Sequence, residues 1–196
     1  MDCGKLAHDN GLYNVLVSNG HIAEEPFREL APVIDAMNID IKAMTDEFYK
    51  NVCGGKLEVV LRTAEIAKKS GIHVEITNLV IPGYNDSDEE LNKLVDWIKE
   101  HLGEDTPLHF SRYFPNYKFD APPTPNPTLE KAFEIGNEKL WYVFVGNTYI
   151  EGSTDSYCHN CGNDLIERKG YGGTEIVGLT QDAKCDNCGA ESGIIL

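Results

Sequence analysis

The chain has 196 residues, 41% of them apolar and 25% charged, which is enough to bury the core of one ordinary domain and carry a small appendage. No apolar run approaches the ~20 residues that span a bilayer, and the first residues lack the basic-then-apolar order of a secretion signal, so a cytoplasmic, membrane-free protein is expected. A formal net charge of −15 argues against a nucleic-acid partner, because phosphate binding rests on clustered Lys and Arg.

In chain order, Met1 to Gly11 reads as a helix end with its glycine stop. From there to about residue 150, short β-branched runs alternate with helical stretches, the pattern of parallel βα units. Strands are predicted at Tyr13–Val17, Ala36–Ile41, His73–Val80, Pro107–Ser111 and Tyr142–Val145. Leu57, Val60, Leu61, Ala64 and Ala67 form one helical stripe that stops at Gly71. Ser87 and Glu90 make a capping box for a second, which buries Leu91, Leu94, Val95, Ile98 and Leu102 and stops at Gly103. A third helix is expected from about Thr128, after a proline-rich loop at Ala121–Pro127. Such a series fits an open doubly wound sheet or part of a barrel; no G-x-G-x-x-G or Walker loop supports the nucleotide-binding open sheets.

In both architectures active sites gather at the carboxyl ends of the strands. Ser18, Asn19 and Gly20 end the first strand, Asp40 and Lys42 the second, and Ile81, Pro82, Gly83 and Asn85 follow the third. Asp40 and Lys42 are two apart and share a face. Two readings follow: they bind the two ends of a zwitterion while Ser18 and Asn19 take ribose hydroxyls, or they pair with each other at a solvated strand end. His109 lies with Ser111 on one face of the fourth strand, either as a satisfied core histidine or as part of the site.

Gly152–Asp155 reads as a linker into the tail, where Cys158/Cys161 and Cys185/Cys188 form two C-x-x-C pairs, each followed by glycine. This is the spacing of a closed four-thiolate zinc ribbon, a structural site with no position open to water or substrate. With eight acidic and three basic residues from Glu151 onward, the ribbon would repel nucleic acid. His159, between two ligands, is expected to face water. Cys3 and Cys53 are expected to be small buried or half-buried side chains.

Taken in order, Tyr13-Asn14-Val15-Leu16-Val17-Ser18-Asn19-Gly20, Asn38-Ile39-Asp40-Ile41-Lys42, Leu79-Val80-Ile81-Pro82-Gly83-Tyr84-Asn85-Asp86, His109-Phe110-Ser111-Arg112-Tyr113 and the four-cysteine tail resemble the radical SAM enzymes related to pyruvate formate-lyase activating enzyme, in particular the AmmeMemoRadiSam-system branch. The resemblance implies an α/β fold, a partial parallel βα barrel over residues 1–151 with a zinc ribbon over 152–196. It also implies a [4Fe-4S] cluster and S-adenosylmethionine. Ser18, Asn19 and Gly20 would meet the ribose and methionine part, Asp40 and Lys42 the methionine end, and Ile81 to Asn85 the adenine. The family's further cofactor-contacting histidine falls nearest to His109 or Phe114.

The family's C-x3-C-x2-C cluster loop is absent from this sequence. The expectation is therefore a C-terminal portion that is inactive alone, with an open first strand and an exposed inner sheet face. Such surfaces invite a homodimer or the missing half; the substrate would be a protein or a small molecule. The rival expectation is a non-catalytic zinc-ribbon module that binds a protein partner.

Overall fold

The computed structural model describes residues 1–196, apart from the side chain at position 171. Five parallel strands lie side by side in chain order: β1 (Val15–Ser18), β2 (Ala36–Asp40), β3 (His73–Val80), β4 (Leu108–Arg112) and β5 (Val143–Gly146). A strand order that never reverses, joined by right-handed crossovers, puts every crossover helix on one face of the sheet. This is the curl of a barrel segment; a doubly wound sheet would reverse its order.

The helices are α1 (Asp2–Asp9), α2 (Glu24–Leu30), α3 (Asp46–Phe48, continued by a π-turn over Tyr49–Cys53), α4 (Leu57–Lys69), α5 (Asp88–His101) and α6 (Asn126–Asn137). The core lies between them and the sheet. Ile39, Ile76, Leu108 and Phe110 from the strands are fully buried against Val60, Ala64, Leu94, Ile98, Leu129 and Ala132 from the helices. The alternate strand residues Asn38, Asp40, Glu75, Thr77, His109 and Ser111 therefore line the inner face.

Several element ends depart from expectation, each for a local reason. β1 begins at Val15, two residues late, because Asn14 serves as a joint: its N–H donates to Asp35 Oδ2 (2.6 Å) and its amide to the carbonyls of Gly4 and Val33 (2.9 Å each). α6 starts at Asn126, so Pro127 belongs to its first turn, where a missing N–H costs nothing, and the proline-rich loop ends sooner than expected. Ser87 caps α5 by accepting from the Glu90 N–H, but the Glu90 carboxylate accepts from the Met44 N–H (3.0 Å). The capping box is thus half formed, and its acid ties α5 to the end of β2. The short α2 and α3 were not predicted, since each buries a single residue, Phe27 and Phe48, and carries no stripe.

The tail folds as a three-stranded antiparallel sheet, β6 (Ser156–Tyr157), β7 (Asp164–Arg168) and β8 (Thr174–Ile176). It packs onto the barrel segment. The Val145 N–H donates to Ser153 O (3.0 Å), the Tyr142 hydroxyl donates to Ser192 O (2.7 Å), and Trp141 stacks flat on His159 with centroids 3.6 Å apart. His159, expected to face water, does so on one side only. Ile166, Arg168, Ile194 and Ile195 cover part of the inner face, enclosing with Val15, Ala36 and His73 a cavity of about 640 Å³. The inner face is thus less exposed than expected. The β1 edge does stay open, with Tyr13, Val15 and Val17 at 85%, 65% and 76% exposure. Cys3 and Cys53, expected to be at least half-buried, are both exposed: α1 buries no residue, and Cys53 ends the π-turn just before the left-handed Gly54. Among the described residues, no helix is long and apolar enough to cross a membrane.

Gly136 in α6 tests the packing of this sheet. A Cβ there would stand 2.9 Å from both Val143 methyls and 3.4 Å from the Phe110 ring. Gly136→Ala should therefore destabilise the chain by about 1–3 kcal/mol in urea unfolding, although alanine is the better helix former. Adding Val143→Ala should recover most of that loss; a stabilised Gly136→Ala would contradict the packing.

Candidate functional site: a polar rim and a four-cysteine cluster

The β2 carbonyls beyond Asp40 project past the regular ladder and need donors. Two asparagines supply them. Asn78 Nδ2 donates to Ile41 O (2.8 Å), and Asn85 Nδ2 donates to Lys42 O (2.5 Å) and Leu79 O (2.9 Å). Asn85 Oδ1 accepts from the Ile81 N–H (2.6 Å), and Asp86 accepts from the Gly83 N–H (2.8 Å). The Ile81–Asp86 loop is thereby buckled onto the end of β2, with Pro82 half-buried and Gly83 left-handed and exposed. Asn85 itself is buried and its amide is fully used by the backbone. Its part in the site is to hold the loop.

On this support Lys42 Nζ meets Asp40 Oδ2 at 2.8 Å, both side chains 29% exposed. The Lys42 N–H donates to the Tyr49 hydroxyl (3.0 Å), whose pKa burial pushes up to about 12, so it remains a neutral phenol. Lys42, Tyr49, Asn19, His21 and Cys53 line a cavity of about 370 Å³. Gly20 is obligatory here: it is left-handed, and a Cβ would stand 2.9 Å from an Ile39 methyl. Ser18 falls elsewhere. Alternation in β1 puts Val17 beside Asn38 on the inner face, whereas Ser18 pairs with Ile39, and its hydroxyl accepts from the Gly20 N–H (3.1 Å).

His109 lies across the inner face, paired in register with Thr77, which pairs in turn with Asp40. Its Nε2 is 2.8 Å from Glu75 Oε2, while His73 Nε2 is 3.3 Å from Glu75 Oε1. These two hydrogen bonds hold the Glu75 carboxyl far below the usual range. Glu75 escaped the sequence reading, although its place two residues before Thr77 on β3 fixes its face.

The four cysteines of the tail converge, with all four sulfurs within 4.8 Å of one another. Cys158 and Cys188 are 3.6 Å apart, Cys161 and Cys185 3.7 Å. Four thiolates at about 2.3 Å from one tetrahedral ion lie about 3.8 Å apart, so the donor set fits a single ion. A four-iron cluster puts each thiolate on a different iron and spreads the sulfurs farther.

The two knuckles mirror each other. Gly162 and Gly189 are left-handed, and their N–H groups donate to Cys158 O and Cys185 O (2.8 Å each). Asn160 donates to Cys188 Sγ and Asn187 to Cys161 Sγ, both at 3.5 Å, so each knuckle steadies a sulfur of the other. The shared Asn-Cys-Gly of the two knuckles was the signal for this pair. The Asn160 amide and then the Ala190 N–H hold the Cys188 thiol down to about 6, whereas burial pushes Cys158 up to about 12. The cysteines outside the tail do not fit a cluster: Cys3 sits on α1 and Cys53 in the rim cavity, two isolated thiols where three on one loop are needed.

Residues 2–98 match the model of the radical SAM superfamily. The chain is 46% identical over its whole length to an uncharacterized protein of Methanocaldococcus jannaschii, of which it covers 58%. Over half of its length it is 27% identical to the pyruvate formate-lyase 1-activating enzyme of Escherichia coli K12, covering 41% of that enzyme. A solved domain of a pyruvate formate-lyase-activating enzyme from Bacteroides vulgatus superposes on 74% of this chain and 88% of that domain, with a TM-score of 0.64 at 15% identity, a likeness of fold. The chain is a radical SAM relative. Its kinship within that superfamily is with the pyruvate formate-lyase activating enzymes, and it spans only part of the length of the curated relatives it matches.

Two measurements test this geometry. Because the folded pKa of Glu75 is lowered, its contribution to stability is fully present above the ordinary glutamate value, about 4.3, and is lost progressively as pH falls from there toward the lowered folded pKa. Glu75→Gln should therefore be less stable than wild type at pH 7 and show a shallower loss of stability below about pH 4; an unchanged slope would contradict the histidine pairing. For the knuckles, Asn160→Ala should weaken metal binding about tenfold in a competition titration, and the double variant with Asn187→Ala further. Unchanged affinity would reduce both amides to bystanders.

Proposed function

We propose that the chain is the S-adenosylmethionine-holding part of a radical SAM enzyme of the activating type, and that its tail holds one structural zinc ion. The Asp40–Lys42 pair carries this reading. Opposite charges 2.8 Å apart beside a cavity of about 370 Å³ suit the amino-acid end of the cofactor. A carboxylate on Lys42 and an ammonium on Asp40 replace one ion pair by two, without stranding a charge.

Asn19 lines the same cavity and would meet the ribose and methionine part, with Gly20 giving the turn its close approach. Ile81, Pro82 and Gly83 would offer backbone to the adenine while Asn85 holds their loop in place. His109, level with Asp40 and two strands across the inner face, would stand toward the substrate side of the cofactor. When bound, S-adenosylmethionine supplies a sulfonium whose one-electron reduction releases a 5′-deoxyadenosyl radical in this superfamily. Cys3 and Cys53 do not make a cluster site, so the reading assigns electron delivery to thiolates outside residues 1–196 and expects no cleavage by these residues alone.

Calorimetric titration with S-adenosylmethionine should show binding that Lys42→Ala weakens at least tenfold, the loss expected for a charge-assisted hydrogen bond. Equal affinity in the variant would overturn the rim assignment. Protein purified without oxygen should carry one zinc and no iron per chain. Iron at three or four atoms per chain would overturn the metal assignment.

A second reading, a protein-interaction module, draws on the open β1 edge, where Val17 is 76% exposed. There the edge takes a strand from a second copy or from a separate barrel half. Sedimentation should then show concentration-dependent association that Val17→Lys abolishes; a monomer at every concentration, with no strand-donating partner, would dismiss it.

A further inference from the structure

β7 carries Arg168 across the inner face, into the wall of a cavity of about 400 Å³ shared with Asn38, Glu75, Thr77, His109, Ser111 and Phe144. The guanidinium lies over the Phe144 ring, 5.2 Å from its centroid. Nη1 donates to Thr154 O (2.8 Å) and Ser156 Oγ (3.0 Å). Nε and Nη2 have no protein acceptor among the described residues, and neither is a buried orphan, so Arg168 keeps spare donors where it lines the cavity.

The nearby acids are engaged elsewhere. Burial works against the charge of Arg168, and Asp155 and Glu75 favour it only from a distance, forming no ion pair with it: Glu75 holds the two histidines, and Asp155 Oδ1 accepts from the Arg168 backbone N–H (2.6 Å). In a chain of 32 acidic and 17 basic residues, this arginine stands half-buried in the cavity wall without an ion-pair partner among the described residues.

The remaining spare groups are also mostly donors. Asn38 Oδ1 accepts from the Thr77 hydroxyl (2.8 Å), which leaves its NH2; Ser111 Oγ accepts from Asn147 Nδ2 (2.8 Å), which leaves its O–H. With the Glu75 carboxylate already occupied by its two histidines, one cation and several unspent donors beside an aromatic ring suit an acceptor-rich anion with a flat or apolar body. A volume of about 400 Å³ suits a small molecule.

We propose that this cavity binds a small organic carboxylate, gripped by the open side of the Arg168 guanidinium with its body against Phe144, and that the four-cysteine tail thereby builds one wall of a ligand site. Thr77 is the register partner of both Asp40 and His109, so the ligand would lie beside the rim, across the sheet from Asp40. That it is the substrate rests on the radical reading; that it binds does not.

The test uses the metal-loaded chain without S-adenosylmethionine, so it succeeds or fails independently of the rim. Phenylacetate and its neutral isostere phenylacetamide are titrated while the arginine side-chain N–H resonances are followed by NMR. Saturable phenylacetate binding that shifts the Arg168 signal, at least tenfold tighter than the amide, is expected, and Arg168→Gln should bring the acid down to the level of the amide. Because Arg168 also bonds Thr154 and Ser156, metal content is measured alongside the variant, and the wild-type comparison of acid with amide stands whatever the variant does. Equal affinity for the two probes, no saturable acid binding, or binding that leaves Arg168 unmoved would overturn the proposal.

Discussion

The rim depends on Asn85. Its side-chain amide sits where β2 runs out of ladder partners, and with its three contacts it supplies a donor to Lys42 O and to Leu79 O and an acceptor to the Ile81 N–H. A buried carbonyl left without a donor costs about as much as a lost hydrogen bond, so the end of β2 and the loop after β3 are held as one unit. Lys42 can then stand at a fixed distance from Asp40. A serine or alanine in place of Asn85 would free the loop and the strand end together.

The tail has a similar double character. Its own core is small, chiefly Cys158, Leu165, Ile166 and Cys185, too little to fold without a staple. On the zinc reading, an ion held by the converged thiolates is that staple. Tyr142, Trp141 and Val145 then fix the tail against the strands, and this is what carries Arg168 to the inner face. The unit that reads as an appendage in the sequence shapes the inside of the barrel segment.

What the sequence shows plainly is what local pattern dictates. β3 spans the predicted His73–Val80, and the stripes of α4 and α5 bury as expected, because alternation and helical spacing record which side faces a core. β1 is misplaced because Asn14 works through side-chain contacts to Gly4, Val33 and Asp35, which no periodicity encodes. Asp40 and Lys42 are legible as a pair from their spacing, and their ion pair agrees with either reading of it. Ser18 lies off the inner face because the alternation of β1 puts Val17 there. Tyr49, on an unpredicted turn, and Arg168, brought over by tertiary packing, leave no local signal.

The account stands or falls on where the cofactor lies. Crystals soaked with S-adenosylmethionine measure this directly. The account predicts density with the carboxylate on Lys42, the ammonium on Asp40, and the original 2.8 Å contact between those two side chains opened to admit them. Density elsewhere on the chain, with the Asp40–Lys42 pair still closed, would contradict it.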